Sequence, residues 1–366
     1  NIMDGNNSPS SITIEDDDQI ILNDGGNGGT MKQVAVTKLN TYLGSATKLD
    51  DLSDVTIEDT DFKILVENDP SSSTSIYIGH DPSSNTVSSW ANVAIGATAL
   101  DAITTGDDNI AIGRDALTDN TGGSKNIAIG SLALYDNTGS DNTAIGYGSM
   151  WNNKSGRQNV AFGGYTLLGS SPGSADFNAA VGYGSLYKNS AGDYNTAVGY
   201  YSLYSNTGGT RNIAIGSNAL KLKDQESDNL AIGYDALAGS SAAGEYNVAI
   251  GNYSLKTNAG DNNTAIGYKA GDFTNFTGDN NVIIGYEADP VGVDAQNQIV
   301  IGKDATGQGD NYAVIGNASV TRLYAAQDAG ATLYAAGLNL GGTAVTATAA
   351  ELNILDGVTS TATELN

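Results

Sequence analysis

The sequence predicts an all-β chain whose main part is a parallel β-roll, or β-solenoid, of about 15 coils with about 17 residues per coil. A short motif, Asn-x-Ala-Ile-Gly, recurs along most of the chain. Its central residues alternate between larger and smaller side chains, as in a strand with two faces. The segments between copies are rich in Gly and Asn, which favour tight turns.

The repeat is defined by the glycine that closes each copy of the motif. The commonest spacing between successive glycines is 17 residues, and the other spacings range from 14 to 19. A register of this kind indicates stacked coils rather than a chain that is merely rich in glycine. The glycines are Gly79, Gly96, Gly113, Gly130, Gly146, Gly163, Gly182, Gly199, Gly216, Gly233, Gly251, Gly267, Gly285, Gly302 and Gly316.

Each motif opens with Asn from Asn92 to Asn281, after which Gln298 and Tyr312 take this position. Stacked amides predict a hydrogen-bonded Asn ladder. Since alternate residues of a strand share a face, we expect the first and third residues after the Asn to fill the coil interior. The middle Ala would then face outward and allow close packing against another chain. The closing Gly fits a bend.

A second apolar column lies after the glycine. A small residue follows three positions later, and a Leu or Met follows it in ten successive coils from Leu100 to Leu255. This column predicts a second short strand in each coil, before a turn such as Asn120-Thr121-Gly122-Gly123. The residues expected to define the repeat are Asn109, Ala111, Ile112, Gly113, Leu117, Asn126, Ala128, Ile129, Gly130 and Leu134.

The pattern divides the chain into three parts. Residues 1–71 form a non-repeating connector, residues 72–320 the shaft, and residues 321–366 a second connector with Thr-Ala-x-Glu-Leu-Asn repeats. In the first part we expect residues 11–14 to pair with residues 19–22, and residues 31–43 to form an amphipathic helix. Thr and Glu three residues apart predict short helical turns in the last part. The chain ends on a complete repeat copy, which leads us to expect further sequence beyond it.

Composition limits the classes of function. The formal net charge is −25, with only 16 Lys and Arg, so we expect no nucleic-acid partner. Cysteine is absent, and this excludes disulfides and thiolate chemistry. No apolar run approaches the roughly 20 residues that a membrane-spanning helix needs, so we expect no membrane insertion.

The Asn-x-Ala-Ile-Gly coils resemble the head repeats of trimeric autotransporter adhesins, a resemblance that implies trimers of left-handed parallel β-rolls. The 17-residue version, with Ala-Leu after the glycine and Asn-Thr-Gly in the turn, is more similar to phage tail-fibre repeats. The segment from Leu49 to Thr56 and the Thr-Ala-x-Glu-Leu-Asn repeats resemble long tail fibres of marine phages, cyanophages among them. The repeat resemblance covers residues 72–320.

The sequence gives little support for catalysis or metal binding. His80 is the single histidine, so it can supply neither a zinc site nor, without a neighbouring nucleophile, a catalytic triad. Recurrent acidic residues at the turns would suit paired-carboxylate glycoside hydrolysis, although turn chemistry explains them more simply. Calcium at Glu15-Asp16-Asp17-Asp18 is a further alternative, because carboxylates bind hard cations. The acidic turn residues are Asp107, Asp108, Asp141, Asp193, Asp261 and Asp279.

Tyrosine is the most informative residue for ligand binding. Six tyrosines directly follow a repeat glycine, and others follow one position later. An exposed row of rings can stack on sugars, or the rings can stack on one another and stiffen the rod, which is the interpretation we favour. The six candidate glycan contacts are Tyr147, Tyr183, Tyr200, Tyr234, Tyr268 and Tyr286.

These observations lead to one expected function. We expect a homotrimeric phage tail-fibre rod in the virion that joins other fibre or virion proteins at its ends. It would present or contribute to recognition of a host-surface glycan or protein receptor. We expect no enzymatic activity and no cofactor. The alternatives are a bacterial trimeric surface adhesin and a glycan-depolymerising tailspike.

Overall fold

A computed structural model describes two units of the chain, residues 1–67 and residues 68–366, and each is treated separately below. The first unit contributes one short hairpin. The second contributes a long parallel sheet and a second hairpin. The structure describes residues 19–22, 32–35, 75–78, 89–169, 173–239, 244–258, 260–323, 338–340 and 343–345.

The N-terminal hairpin differs from the expected arrangement. Strand β1 (Gln19–Leu22) pairs antiparallel with β2 (Lys32–Ala35), with Gln19 opposite Ala35. The prediction of a helix beginning at residue 31 is therefore wrong at residues 32–35, and β1 pairs with this segment instead. The Gly-rich sequence between β1 and β2 favours a reversal between two strands, a signal that outweighs helical spacing. Residues 11–14 and 36–43 lie outside the described residues.

Fifteen parallel strands of three residues each form one sheet, which confirms the predicted β-solenoid. The strands lie next to one another in chain order. They are β3 (Ile76–Ile78), β4 (Val93–Ile95), β5 (Ile110–Ile112), β6 (Ile127–Ile129), β7 (Thr143–Ile145), β8 (Val160–Phe162), β9 (Ala179–Val181), β10 (Thr196–Val198), β11 (Ile213–Ile215), β12 (Leu230–Ile232), β13 (Val248–Ile250), β14 (Thr264–Ile266), β15 (Val282–Ile284), β16 (Ile299–Ile301) and β17 (Ala313–Ile315).

Neighbouring coils are in register, so equal positions of the repeat lie above one another. Ile110 pairs with Ile127, and Ala111 with Ala128. Fourteen steps of about 4.8 Å make the sheet roughly 67 Å long. Spacings that deviate from 17 residues are absorbed in the turns, because the strand register is unchanged across them.

The orientation of the strands is opposite to our expectation. The middle alanines face the coil interior: from Ala94 to Ala265 each is at most 2 % exposed. The flanking Ile, Val and Thr residues point outward, as shown by Phe162 and Val181, which are 41 % and 42 % exposed. A coil of this length encloses a narrow space, and the Leu column already occupies most of it. The opposing strand position therefore takes the smallest apolar side chain.

The Leu column is buried as expected, but it does not form a second strand. Leu117 and its equivalents are fully buried within a turn, in the left-handed region of backbone space, with φ of 53° for Leu117 and 51° for Leu134. This conformation costs a non-glycine residue about 1–2 kcal/mol. Burial of the side chain stabilises the fold by about 1.5–3 kcal/mol and so offsets this cost. The Leu117 N–H also donates a hydrogen bond to the carbonyl oxygen of Ala133 in the next coil, at 3.0 Å.

The repeat glycines allow coils to approach closely at the bend. Gly130 has a φ of +132°, and a Cβ there would lie 2.6 Å from the carbonyl oxygen of Gly146. No other residue fits this backbone without displacing the next coil. The bend therefore requires glycine for two independent reasons.

The Asn ladder is present, and it joins side chains mainly to backbone. The Asn126 side-chain oxygen accepts the backbone N–H of Asn142 at 3.0 Å, and its Nδ2 donates to the carbonyl oxygen of Gly139 at 2.9 Å. The same chain of acceptors runs through each coil from Asn92 to Gln298. These amides therefore satisfy buried backbone groups at the start of each strand.

The interior conserves volume where the repeat pattern changes. Gly271 takes the Leu position in its coil, and Ile283 takes the Ala position of the next strand. A Cβ on Gly271 would lie 3.0 Å from Ile283 Cδ1 and 2.9 Å from Leu255 Cδ2. The larger apolar side chain thus lies at the strand position rather than at the turn position, which keeps the interior closely packed.

A second hairpin lies near the C-terminus. Strand β18 (Leu338–Leu340) pairs antiparallel with β19 (Thr343–Val345). The sequence between them, Gly341-Gly342, is typical of a two-residue hairpin turn. The expected helical turns at residues 348–366 lie outside the described residues.

Candidate interaction surfaces

The outer face of the long sheet is apolar. Its two columns are the first and third strand positions, which carry mainly Ile and Val from β4 to β16. Several of these side chains are about 40 % exposed, including Val198 at 38 % and Ile215 at 39 %. With strand neighbours about 4.8 Å apart and alternate residues about 7 Å apart, the strip covers on the order of 470 Å². Apolar patches of this size are often functional, so the strip is a candidate interaction surface.

A row of tyrosines lies just after the bend. The Tyr147 and Tyr165 ring centroids are 5.2 Å apart in an edge-on arrangement, and Tyr268 and Tyr286 stack at 5.2 Å. The expected stacking between rings is therefore present. The rings remain accessible as well, since all six candidate glycan contacts are between 38 % and 50 % exposed. Whether they contact glycans stays a prediction.

The aromatic row is densest between residues 183 and 204. Tyr183 stacks on Tyr200 with centroids 5.9 Å apart, and Tyr200 contacts Tyr201 at 4.0 Å. Tyr201 meets Tyr204 at 4.8 Å, and Tyr204 stacks on Tyr187 at 4.9 Å. The result is a continuous aromatic surface across two neighbouring coils.

The phenols of Tyr201 and Tyr204 stay protonated at neutral pH. A hydrogen bond with Tyr200, together with burial, raises the pKa of Tyr201 above its usual value. Burial, followed by the neighbouring Tyr187, raises the pKa of Tyr204. Both groups are therefore hydroxyl donors rather than phenolates.

The acidic turn residues are acceptors in a further ladder between coils. The Asp107 carboxylate accepts the Trp90 N–H at 2.8 Å, and the Asp193 carboxylate accepts the Asp176 N–H at 2.8 Å. Asp261 and Asp279 accept backbone N–H groups in the same way. Asp108 and Asp141 occupy left-handed turn positions, with φ of 57° and 61°. This arrangement favours turn chemistry as the reason for the acidic pattern.

Two other candidates lie outside the described residues, namely His80 and the acidic run at residues 15–18. Within the described ranges, no three His, Cys, Asp or Glu side chains are grouped as they would be to hold a metal ion. The same part of the chain has no helix long and apolar enough to cross a bilayer.

A buried lysine is the polar feature that sequence reasoning missed. Lys223 is fully buried at the coil position that Asn206 and Asn258 occupy in other coils. Its Nζ donates to the carbonyl oxygen of Asn258 at 3.0 Å. Burial lowers the pKa of Lys223, and the carboxylate of Glu226 opposes that shift. The signal was the replacement of the turn Asn and Gly by Lys223 and Glu226 in one coil.

Asp289 interrupts the apolar Leu column. Its half-buried side chain has one fully enclosed oxygen without a hydrogen-bond partner among the described residues. Burial, followed by the nearby carboxylates of Asp272 and Glu287, raises the pKa of Asp289 to about 6. Near neutral pH this coil therefore carries a carboxylate in an unfavourable position.

No protein-family model matches the chain, and no curated protein sequence is significantly similar to it.

Proposed function

We propose that this chain is the shaft of a phage tail fibre, a homotrimeric rod that presents or contributes to host-receptor recognition. The observation that carries the proposal is the outward apolar face of the fifteen-stranded sheet. It extends over most coils, and a single chain leaves much of it in contact with water. Association along this face would remove that contact.

The corrected strand orientation changes how the chains would meet. The sequence predicts contact between chains at the alanines, but these are buried inside each coil. In the proposed assembly the outer Ile and Val columns interdigitate instead. Burial of apolar area contributes about 25 cal/mol per Å², so a strip of this length supplies a substantial driving force. The number of three chains comes from the resemblance of the repeats to trimeric β-rolls.

The proposed mechanism is mechanical. Each coil bonds to its neighbours through strand, Asn and Asp ladders, so a bend of the rod must strain many hydrogen bonds together. A stiff rod of this kind would hold a recognition element at a fixed distance from its attachment point. The role proposed here requires no reaction step.

The oligomeric state tests the proposed contact. We expect light scattering on the purified chain to give three times the chain mass. Two Glu substitutions on the outer face, Val198→Glu and Ile215→Glu, should give monomers, because each would bury a charge between chains. Thr121→Glu with Gln225→Glu, two exposed turn positions, is the matched control and should leave the mass unchanged. A folded monomer of the unmodified chain would contradict the proposal.

The location of the protein tests the biological role. An antibody against residues 90–250 should label particles along their tail fibres in electron micrographs. Label on bacterial cells instead of particles would favour the surface adhesin and reject the tail-fibre role.

A further inference from the structure

One part of the rod surface combines aromatic rings with cations that are not paired to carboxylates. We define the Tyr–Lys patch as Tyr183, Tyr200, Tyr201, Tyr204, Lys188 and Lys221. We propose that the Tyr–Lys patch binds an acidic polysaccharide, with sugar rings against the tyrosines and carboxylate or sulfate groups on the lysines. The proposal rests on the attachment role and gives the chemical class of the ligand.

The rings provide a platform rather than isolated contacts. Tyr183 and Tyr200 are 47 % and 50 % exposed and lie nearly parallel, with 17° between their planes. Tyr201 contacts both of these rings and also Tyr204, and Tyr201 and Tyr204 are half-buried. A platform held by its own neighbours loses little side-chain freedom when a ligand binds. Flat apolar rings with polar hydroxyls at their edges match the two kinds of surface that a sugar presents.

The lysines separate this patch from the rest of the tyrosine row. Three lysines further along the rod also lie over tyrosine rings, but each has a carboxylate partner. The distance from the lysine Nζ to the nearest carboxylate oxygen is 3.3 Å for Lys256 and Asp235, 3.9 Å for Lys269 and Glu287, and 3.6 Å for Lys303 and Asp304.

Lys188 and Lys221 have no such partner. Their Nζ atoms lie 5.7 Å and 5.5 Å from the ring centroids of Tyr204 and Tyr201, and no described carboxylate is within 4.0 Å of either. The chain has a net charge of −25, and these two cations lie together on one aromatic platform. Their charge is therefore available to an anionic ligand.

Charge also decides between ligand classes. The acidic surface of the rod repels a polyanion everywhere except near such cations, so only a ligand that gains from both stacking and ion pairing would stay bound. A neutral glycan would gain stacking alone. The protonated phenol of Tyr204 adds a hydroxyl donor for carboxylate oxygens, whereas the Tyr201 hydroxyl is hydrogen-bonded with Tyr200.

Binding to a defined panel of saccharides tests the proposal. The probes are oligogalacturonate, alginate, hyaluronate, chondroitin sulfate and polysialic acid, with methyl-esterified oligogalacturonate and dextran as uncharged counterparts. Titration calorimetry with the full chain should detect at least one acidic probe and neither uncharged one. Lys188→Gln with Lys221→Gln, and separately Tyr183→Ala with Tyr200→Ala, should each weaken that binding by about tenfold or more.

The matched control changes the same residue types elsewhere. Tyr268→Ala with Lys269→Gln removes a ring and a cation that is already near a carboxylate, and binding should change by less than about twofold. Equal loss in the control would show a non-specific charge effect and overturn the assignment to this patch. Binding of the esterified and acidic oligogalacturonates with equal affinity would overturn the acidic class.

Two further outcomes separate this proposal from the proposed function. If no acidic probe binds at millimolar saccharide while light scattering still gives trimers, the patch proposal fails and the shaft proposal stands. If the Tyr183→Ala, Tyr200→Ala variant changes the oligomer mass, the rings are contacts between chains, and the patch proposal is rejected. Circular dichroism on each variant confirms that the coils remain folded.

Discussion

Replacement of one ladder asparagine, Asn126→Ala, should destabilise the solenoid. The side chain is fully buried and makes two hydrogen bonds to backbone groups, the N–H of Asn142 at 3.0 Å and the carbonyl oxygen of Gly139 at 2.9 Å. Alanine would leave the Asn142 N–H buried without its acceptor, whereas the Gly139 carbonyl oxygen keeps a second donor, Nδ2 of Asn137 at 3.0 Å. An unpaired buried group costs about 1–3 kcal/mol, so the expected loss in free energy of unfolding is about 1–3 kcal/mol.

The position of the damage is part of the prediction. Solenoid coils contact their nearest neighbours, so disruption at Asn126 should stay within β5, β6 and β7. Hydrogen exchange followed by mass spectrometry should show faster exchange in peptides that cover these strands. Peptides around β12 to β15 should exchange at the unmodified rate. Chemical denaturation measures the total loss.

A second asparagine gives the matched control. Asn252 is exposed, and its side-chain oxygen accepts the Tyr234 N–H at 2.9 Å near water. Water can replace that acceptor, so Asn252→Ala should cost less than about 1 kcal/mol. If Asn126→Ala costs no more than Asn252→Ala, the ladder does not hold the coils together and the reasoning is refuted.

Three other substitutions test the bend, the core and the carboxyl of Asp289. Gly130→Ala should lower the free energy of unfolding by about 2–6 kcal/mol, because of strain at positive φ and contact with the next coil. Gly208→Ala is the control: no atom lies within 4 Å of the Cβ it would add, so thermal denaturation should be nearly unchanged. Leu134→Ala should lower the free energy of unfolding by about 2–5 kcal/mol, and Leu222→Ala, at an exposed position, by less than about 1 kcal/mol. Equal losses for the two variants in urea denaturation would contradict the buried Leu column. Asp289 has a folded-state pKa of about 6, above its unfolded value, so the folded state binds more protons between about pH 4 and pH 6 and loses stability as pH rises through that window. Asp289→Asn should therefore raise the melting temperature at pH 7.5 more than at pH 4.5, and a pH-independent difference would refute this assignment.

The sequence was sufficient for the architecture because the repeat appears in many copies. The register of the glycines, the Asn ladder and the buried Leu column all follow from positions that recur, and the structure contains them. The direction in which the strand faces could not be read in the same way. Alternation shows that Ile110 and Ala111 point to opposite sides, but either side satisfies the pattern. The deciding quantity is the narrow interior opposite Leu117, which is a property of the folded coil.

The predictions of a second strand in each coil and of an N-terminal helix were wrong for different reasons. A buried Leu at positive φ contradicts backbone preference, and it is stabilised by burial of its side chain and by a hydrogen bond to a neighbouring coil. Local rules therefore favour a strand there. Residues 32–35 fit helical spacing and strand pairing equally well over so short a segment, and contact with β1 decides between them.

The candidate surfaces were predicted in part. The spacing of the tyrosines placed them in one row after the bend, as found. The separation of Lys188 and Lys221 from the paired lysines depends on distances to Asp235, Glu287 and Asp304 across coils. Such distances between surface side chains are not encoded in the spacing of a repeat.

The in-register sheet leaves open how parallel copies of the rod would align along their length. Most coils share one pattern, so a copy displaced by one coil, about 4.8 Å, would still place mostly apolar side chains of the strip opposite one another. Only irregular coils distinguish one axial position from another, such as those with Lys223 or with the Gly271 and Ile283 exchange. The coils that depart from the repeat are thus the positions that could fix identical rods in a single axial alignment.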